Sequence, residues 1–166
     1  SFALFMTTSV QDRLSTAANS DTISNLSPEF IKARDDFAAW YDAKSEDIQS
    51  LIDEISDRTH FIIDEDEYDE FIAELDAYDI TDASSFEETF MAEYEGTSDR
   101  VLELFAEQFC DDLGYTNGLH DLLRGAVDYE TVWYQSLQHE FFTIEFKGNT
   151  YFFTRHYWLA FFHIHR

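Results

Sequence analysis

Basic residues are scarce in this chain. Ten Lys and Arg stand against 35 Asp and Glu, a net charge of −25. Such a surface repels nucleic acid, anionic membranes and other copies of itself, which leaves basic surfaces or cations as its natural partners. There is one cysteine, Cys110, which excludes a disulfide framework and fits a reducing compartment. One proline and five glycines leave little irregular chain, so mostly regular, helix-rich structure is expected. No apolar run is long enough to span a membrane, and no basic stretch leads into the apolar core of a signal peptide. The sequence opens on Ser1, not on Met, and Met6 is a candidate natural start.

Apolar residues are plentiful. They make up 45% of the chain, and aromatics 17%, which excludes an acidic disordered tail that lacks the surface to offset ordering entropy. The charge is also localised. Residues 1–28 and 131–166 together sum to zero, so the whole excess sits in residues 29–130, as 31 acids against six bases.

Residues 1–27 are rich in Ser, Thr, Asn and Ala and read as a flexible or loosely packed arm. An acidic helical region follows over 28–83, and a second region over 84–166 is helical and closed by a β-hairpin. Ser27-Pro28-Glu29 opens a helix to about Ala43: a capping hydroxyl, proline in the first turn, then an acid at the positive dipole end. Ser45 opens the next, with Ile48, Leu51, Ile52 and Ile55 on one stripe. Thr59–Ile63 reads as a short strand. A helix over Asp64–Tyr78 buries Tyr68, Phe71, Ile72 and Leu75. Another, capped by Ser84 or Ser85, buries Phe86, Phe90 and Tyr94 and is closed by Gly96. Thr97 or Ser98 caps a helix to about Leu113 with Val101, Leu104, Phe105 and Phe109 inward. A short helix over 119–124 and one over Asp128–His139 precede strands Phe141–Lys147 and Thr150–Tyr157, which turn at Gly148-Asn149. The class expected is α+β, dominated by acidic amphipathic helices.

The acids fall in rows. Asp99, Glu103, Glu107 and Asp111 recur every four residues on one helix face, and Asp66, Glu70 and Glu74 do the same on an earlier helix. Each like-charged pair at that spacing costs about 0.2–0.5 kcal/mol, where an ordinary helix alternates acid with base and gains as much. Row members stand about 6 Å apart along the axis. At the duplex density of one charge per ~1.7 Å, 25 charges cover about 40 Å, near the width of a compact chain of this length. A halophile's acidity coats the whole surface, whereas here both flanks are neutral. The rows therefore read as an interaction surface in which carboxylates stand in for phosphates. Asp64, Glu67, Glu87, Glu88 and Glu95 extend it.

Other chemistries are weaker. Asp64-x-Asp66-x-Tyr68-Asp69 begins like a calcium loop but lacks the glycine and the third ligand. His163-x-His165 does not make a zinc pattern, and neighbouring acids raise the pKa of Cys110, opposite to a nucleophile's need. No phosphate loop or nucleophile elbow is present, and no carboxylate pair stands out among so many. No enzyme activity, cofactor or metal is expected. Aromatics of the hairpin and tail, Phe141, Phe142, Tyr151, Phe153, Tyr157 and Trp158, exceed what one sheet face needs; they either form a dimer contact or cap the core.

Phe86-(x)3-Phe90-(x)3-Tyr94-Glu95-Gly96-x-Ser98, then Phe105-Ala106-Glu107-Gln108, resembles the central signature of the ArdA antirestriction proteins. So does Val127-Asp128-Tyr129-Glu130, followed by Leu137 and the aromatic hairpin Phe141–Phe153. The likeness spans about residues 85–157. It departs at Trp133-Tyr134-Gln135, where the family pattern has a small residue, Arg and an acid, and residues 1–60 show no family N-terminal domain. The resemblance implies an elongated homodimer from a phage or mobile element, acting in the cytoplasm of a bacterial host. It implies a DNA mimic that occupies the DNA groove of type I restriction-modification enzymes to evade host defence. Alternatives are mimicry against another DNA-binding target (an anti-CRISPR, a BREX inhibitor or an RNA polymerase inhibitor), or an acidic module for a basic protein.

Overall fold

The computed structural model describes residues 27–60 and 64–155, and the fold is α+β. Two compact units divide the chain, Ser1–Glu87 and Glu88–Arg166, with the boundary inside a helix rather than before it.

The described part of the first unit is helical. Helix α1 is Pro28–Asp42, α2 is Glu46–Arg58, α3 is Glu65–Asp76, and α4 is Ala83–Thr89. The first three starts are set by side chains that accept orphan backbone N–H groups. Ser27 Oγ accepts from Phe30 at 3.1 Å, Ser45 Oγ from Ile48 at 3.3 Å, and Asp64 Oδ1 from Glu67 at 3.0 Å. The α4 cap is Asp82, not Ser84 or Ser85. Its Oδ1 accepts from Ser85 N–H at 2.8 Å, and Ser85 Oγ accepts from Asp82 N–H at 3.1 Å, so Ser85 plays the reciprocal part of a capping box. Phe37, Tyr41, Leu51, Ile52, Ile55, Tyr68, Phe71 and Leu75 are buried, and Ile72 is half-buried. Thr59 closes α2 through its N–H to Ile55 O and does not begin a strand; residues 61–63 lie outside the described set.

The second unit holds β1 (Phe90–Glu95), α5 (Asp99–Asp112), α6 (Asp121–Arg124), α7 (Tyr129–Gln135), a 3-10 turn over Leu137–His139, β2 (Phe141–Phe146) and β3 (Asn149–Thr154). The expected hairpin is thus part of a three-stranded antiparallel sheet in the order β1-β3-β2. Phe90–Glu95 was expected as helix. It is a strand because β3 pairs with it, Phe90 with Phe153 and Tyr94 with Thr150, across a bulge between Phe90 and Ala92. Gly96 therefore ends a strand, not a helix, at φ +99°. The hairpin turns on Lys147-Gly148 rather than Gly148-Asn149. Both have positive φ, 51° and 84°, as a two-residue hairpin loop demands, and Phe146 then pairs with Asn149.

One core of this unit lies between the sheet, α5 and α7. Val101, Phe105, Ala106, Trp133, Leu137, Phe141 and Phe152 are buried together. Phe105 is the centre: it stacks on Phe152 at 4.2 Å between centroids and meets Phe141 and Trp133 edge-on at 5.1 and 5.9 Å. Leu104 and Phe109, expected inward, are half-buried, while Ala106 and Cys110 take buried places. On the opposite sheet face Phe90, Phe142, Ile144, Phe146, Tyr151 and Phe153 are buried as well.

Candidate interaction surface

In the first unit α3 carries acids on nearly every outward position and no Lys or Arg. The helix period turns Tyr68, Phe71 and Leu75 inward, which leaves Asp66, Glu70 and Glu74 exposed as a row. Asp64 is spent on capping, and Glu67 is half-buried. Asp69 is engaged too, accepting from Trp40 Nε1 at 3.1 Å and Lys44 Nζ at 3.0 Å. Because this segment is a cap and a helix, its acids do not wrap an ion as a calcium loop would. Glu87, on α4, is exposed. Glu54, half-buried on α2, is held above the usual carboxylate range by burial and then by the negative charge of Glu87; Arg58 opposes the shift.

The second row lies on α5. Asp99, Glu107 and Asp111 are exposed and Glu103 is half-buried, but three of the four have local partners. Asp99 Oδ1 accepts from the Tyr134 hydroxyl at 3.1 Å, and that hydrogen bond, then burial, raises the pKa of Tyr134. Glu103 pairs with Arg100 at 2.8 Å, and Asp111 Oδ1 accepts from the Thr116 hydroxyl at 2.7 Å. Glu88 and Glu95, also in this unit, are exposed.

Arg100, Glu103, Glu107, Arg124, Gly125, Val127, Asp128 and Tyr129 line a shallow cleft of about 260 Å³. Its charges largely answer one another. Arg124 stands 3.8 Å from Asp121, and Asp128 accepts from Thr131 N–H at 3.1 Å and Thr131 Oγ1 at 2.8 Å as the α7 cap. Those hydrogen bonds hold Asp128 below the usual carboxylate range. Burial, then the neighbouring Asp111, raises the pKa of Cys110. Among the described residues no group of three or more His, Cys, Asp or Glu is placed to hold a metal ion, and no helix is long and apolar enough to cross a membrane.

Several residues singled out in the sequence are structural. Phe141, Phe142, Tyr151 and Phe153, offered as a dimer contact or a cap on the core, are buried in the single chain. Tyr157, Trp158 and the His163-x-His165 pair lie outside the described residues. Trp133, the departure from the ArdA pattern, fills the core beside Phe105, and its neighbour Tyr134 binds Asp99. The exposed apolar side chains Tyr115, Leu122 and Leu123 were not anticipated. A leucine pair inside a four-residue helix has no periodicity from which exposure can be read.

Comparison with known proteins finds no matching family model, no similar curated protein and no similar solved structure.

Proposed function

We propose that the protein is a DNA mimic that occupies the DNA-binding groove of a type I restriction-modification enzyme, acting by occupancy and not by chemistry. The observation that carries this reading is α3, a helix whose exposed face presents Asp66, Glu70 and Glu74 at four-residue spacing with no base among them. Such a row sets like charges side by side on one helix face, a repulsion that a basic partner relieves. The exposed Glu87, Glu88, Glu95 and Glu107 add charge of the same kind. The choice of target rests on the ArdA-like motifs over residues 85–157, and homodimerisation enters from the same resemblance.

Binding then resembles that of DNA itself: fast, steered by charge and weakened by salt. Many weak contacts share the load, so neutralising one acid has little effect. The triple variant D66N/E70Q/E74Q binds a type I methyltransferase core more weakly than wild type, and the gap closes as salt rises. Equal affinity of the triple variant and wild type at low salt would remove α3 from the contact surface. Binding to histone-like basic proteins, with none to any DNA-reading enzyme, would replace mimicry with the basic-protein module.

A further inference from the structure

The loop between α5 and α7 presents apolar side chains to solvent within an otherwise acidic surface. Tyr115 is 64% exposed, Leu122 79% and Leu123 52%. Single exposed apolar residues are ordinary, but here three fall within nine positions of the chain, two of them adjacent leucines. The loop that holds them is built rather than slack. Gly114, at φ +76°, ends α5: its N–H bonds Asp111 O at 3.1 Å and the Tyr115 N–H bonds Cys110 O at 2.9 Å, the paired bonds of a Schellman closure. Thr116 ties the loop to Asp111, and the leucine turn is closed by Leu123 N–H to His120 O at 2.8 Å and Ala126 N–H to Leu123 O at 3.1 Å. Its apolar side chains are therefore held outward in advance of any contact, which lowers the ordering cost of binding.

We propose that Leu122 and Leu123 form an apolar anchor that enters a hydrophobic pocket rimmed by Lys and Arg on the DNA-binding protein this chain inhibits. The proposal rests on the DNA-mimic reading and adds to it a contact that DNA does not make. Charge complementarity selects the occupant. The solvated Asp121 precedes the leucines and Arg124 follows them, 3.8 Å from Asp121; exposed Asp128 and Glu130 lie beyond and leave the segment net acidic. A second copy would bring the same acids and another net charge of −25 against them, whereas a basic rim is attracted. Apolar anchors inside a charged rim concentrate binding energy and slow dissociation, while the rim sets the rate of encounter.

The test compares wild type and L122S/L123S for binding to a purified type I methyltransferase core across a salt series. The expected result is a loss of about tenfold or more in affinity with an unchanged dependence on salt, since apolar burial is insensitive to screening. Unfolding temperature and sedimentation stay as in wild type, because both leucines are exposed. Equal affinity of variant and wild type overturns the anchor while leaving the mimic intact. A shallower salt dependence in the variant overturns it too, by making the loop electrostatic. A wild-type dimer that the variant splits assigns the leucines to self-contact instead. Failure of the wild type to bind at any salt defeats the mimic reading itself.

Discussion

Phe105 shows how one side chain organises the second unit. It is in contact with rings from β2, β3 and α7 at once, so it joins the sheet to both helices. Phe105→Ala leaves a void among rigid aromatics that do not collapse into it, and is expected to cost about 3–5 kcal/mol in denaturant unfolding. Asp128 acts at a helix end. Asp128→Ala should lower the thermal midpoint by a few degrees near neutrality, as loss of a cap does. Its folded pKa is depressed, so this contribution is present above the ordinary carboxylate pKa and is lost as pH falls through the folded value. Wild type and variant therefore converge in acid. Glu54 has the opposite sign. Its raised pKa means that the charged form is disfavoured in the fold, and the penalty appears as pH rises through that value. Glu54→Gln is expected to raise the thermal midpoint at neutral pH, with the gain gone below the ordinary carboxylate range.

Helices were the most legible elements, because their signals are local. Ser27, Ser45 and Asp64 each sit immediately before an apolar stripe and cap the helix they announce. Strand β1 was illegible for the complementary reason. Phe86, Phe90 and Tyr94 recur at helical spacing, yet the chain leaves the helix at Thr89 to pair with β3, more than fifty residues later, and a bulge erases the period of two. The hairpin was legible, but its turn was displaced by one residue because Lys147 adopts a positive φ that its residue type does not advertise. Gly96 is where the ArdA-like motif meets geometry. Its Cβ would have room, 3.5 Å from Val101 Cγ2, but φ +99° is costly for any other residue, and Gly96→Ala should destabilise by about 1–2 kcal/mol. The candidate rows were readable from spacing alone. That spacing does not reveal that acids of the α5 row also serve Tyr134, Arg100 and Thr116. D99N/E103Q/D111N relieves like-charged pairs worth about 0.2–0.5 kcal/mol each but also removes the contacts to Tyr134, Arg100 and Thr116, so no net rise in the thermal midpoint is expected.

For the molecule as a whole the charge sets the terms. A net −25 favours solubility and opposes both self-contact and contact with nucleic acid. It is confined to residues 29–130, between flanks that sum to zero. Added salt should raise the thermal midpoint modestly by screening, and the fold should persist at low salt, where a halophile protein would unfold. Low salt is also where a mimic acts most strongly. The decisive measurement is displacement of a fluorescent DNA duplex from a type I restriction-modification enzyme by the wild-type protein at low ionic strength. The account predicts release of the duplex at near-stoichiometric protein, with the required concentration rising steeply as salt is added. A duplex that stays bound in the presence of a large excess of the protein would contradict it.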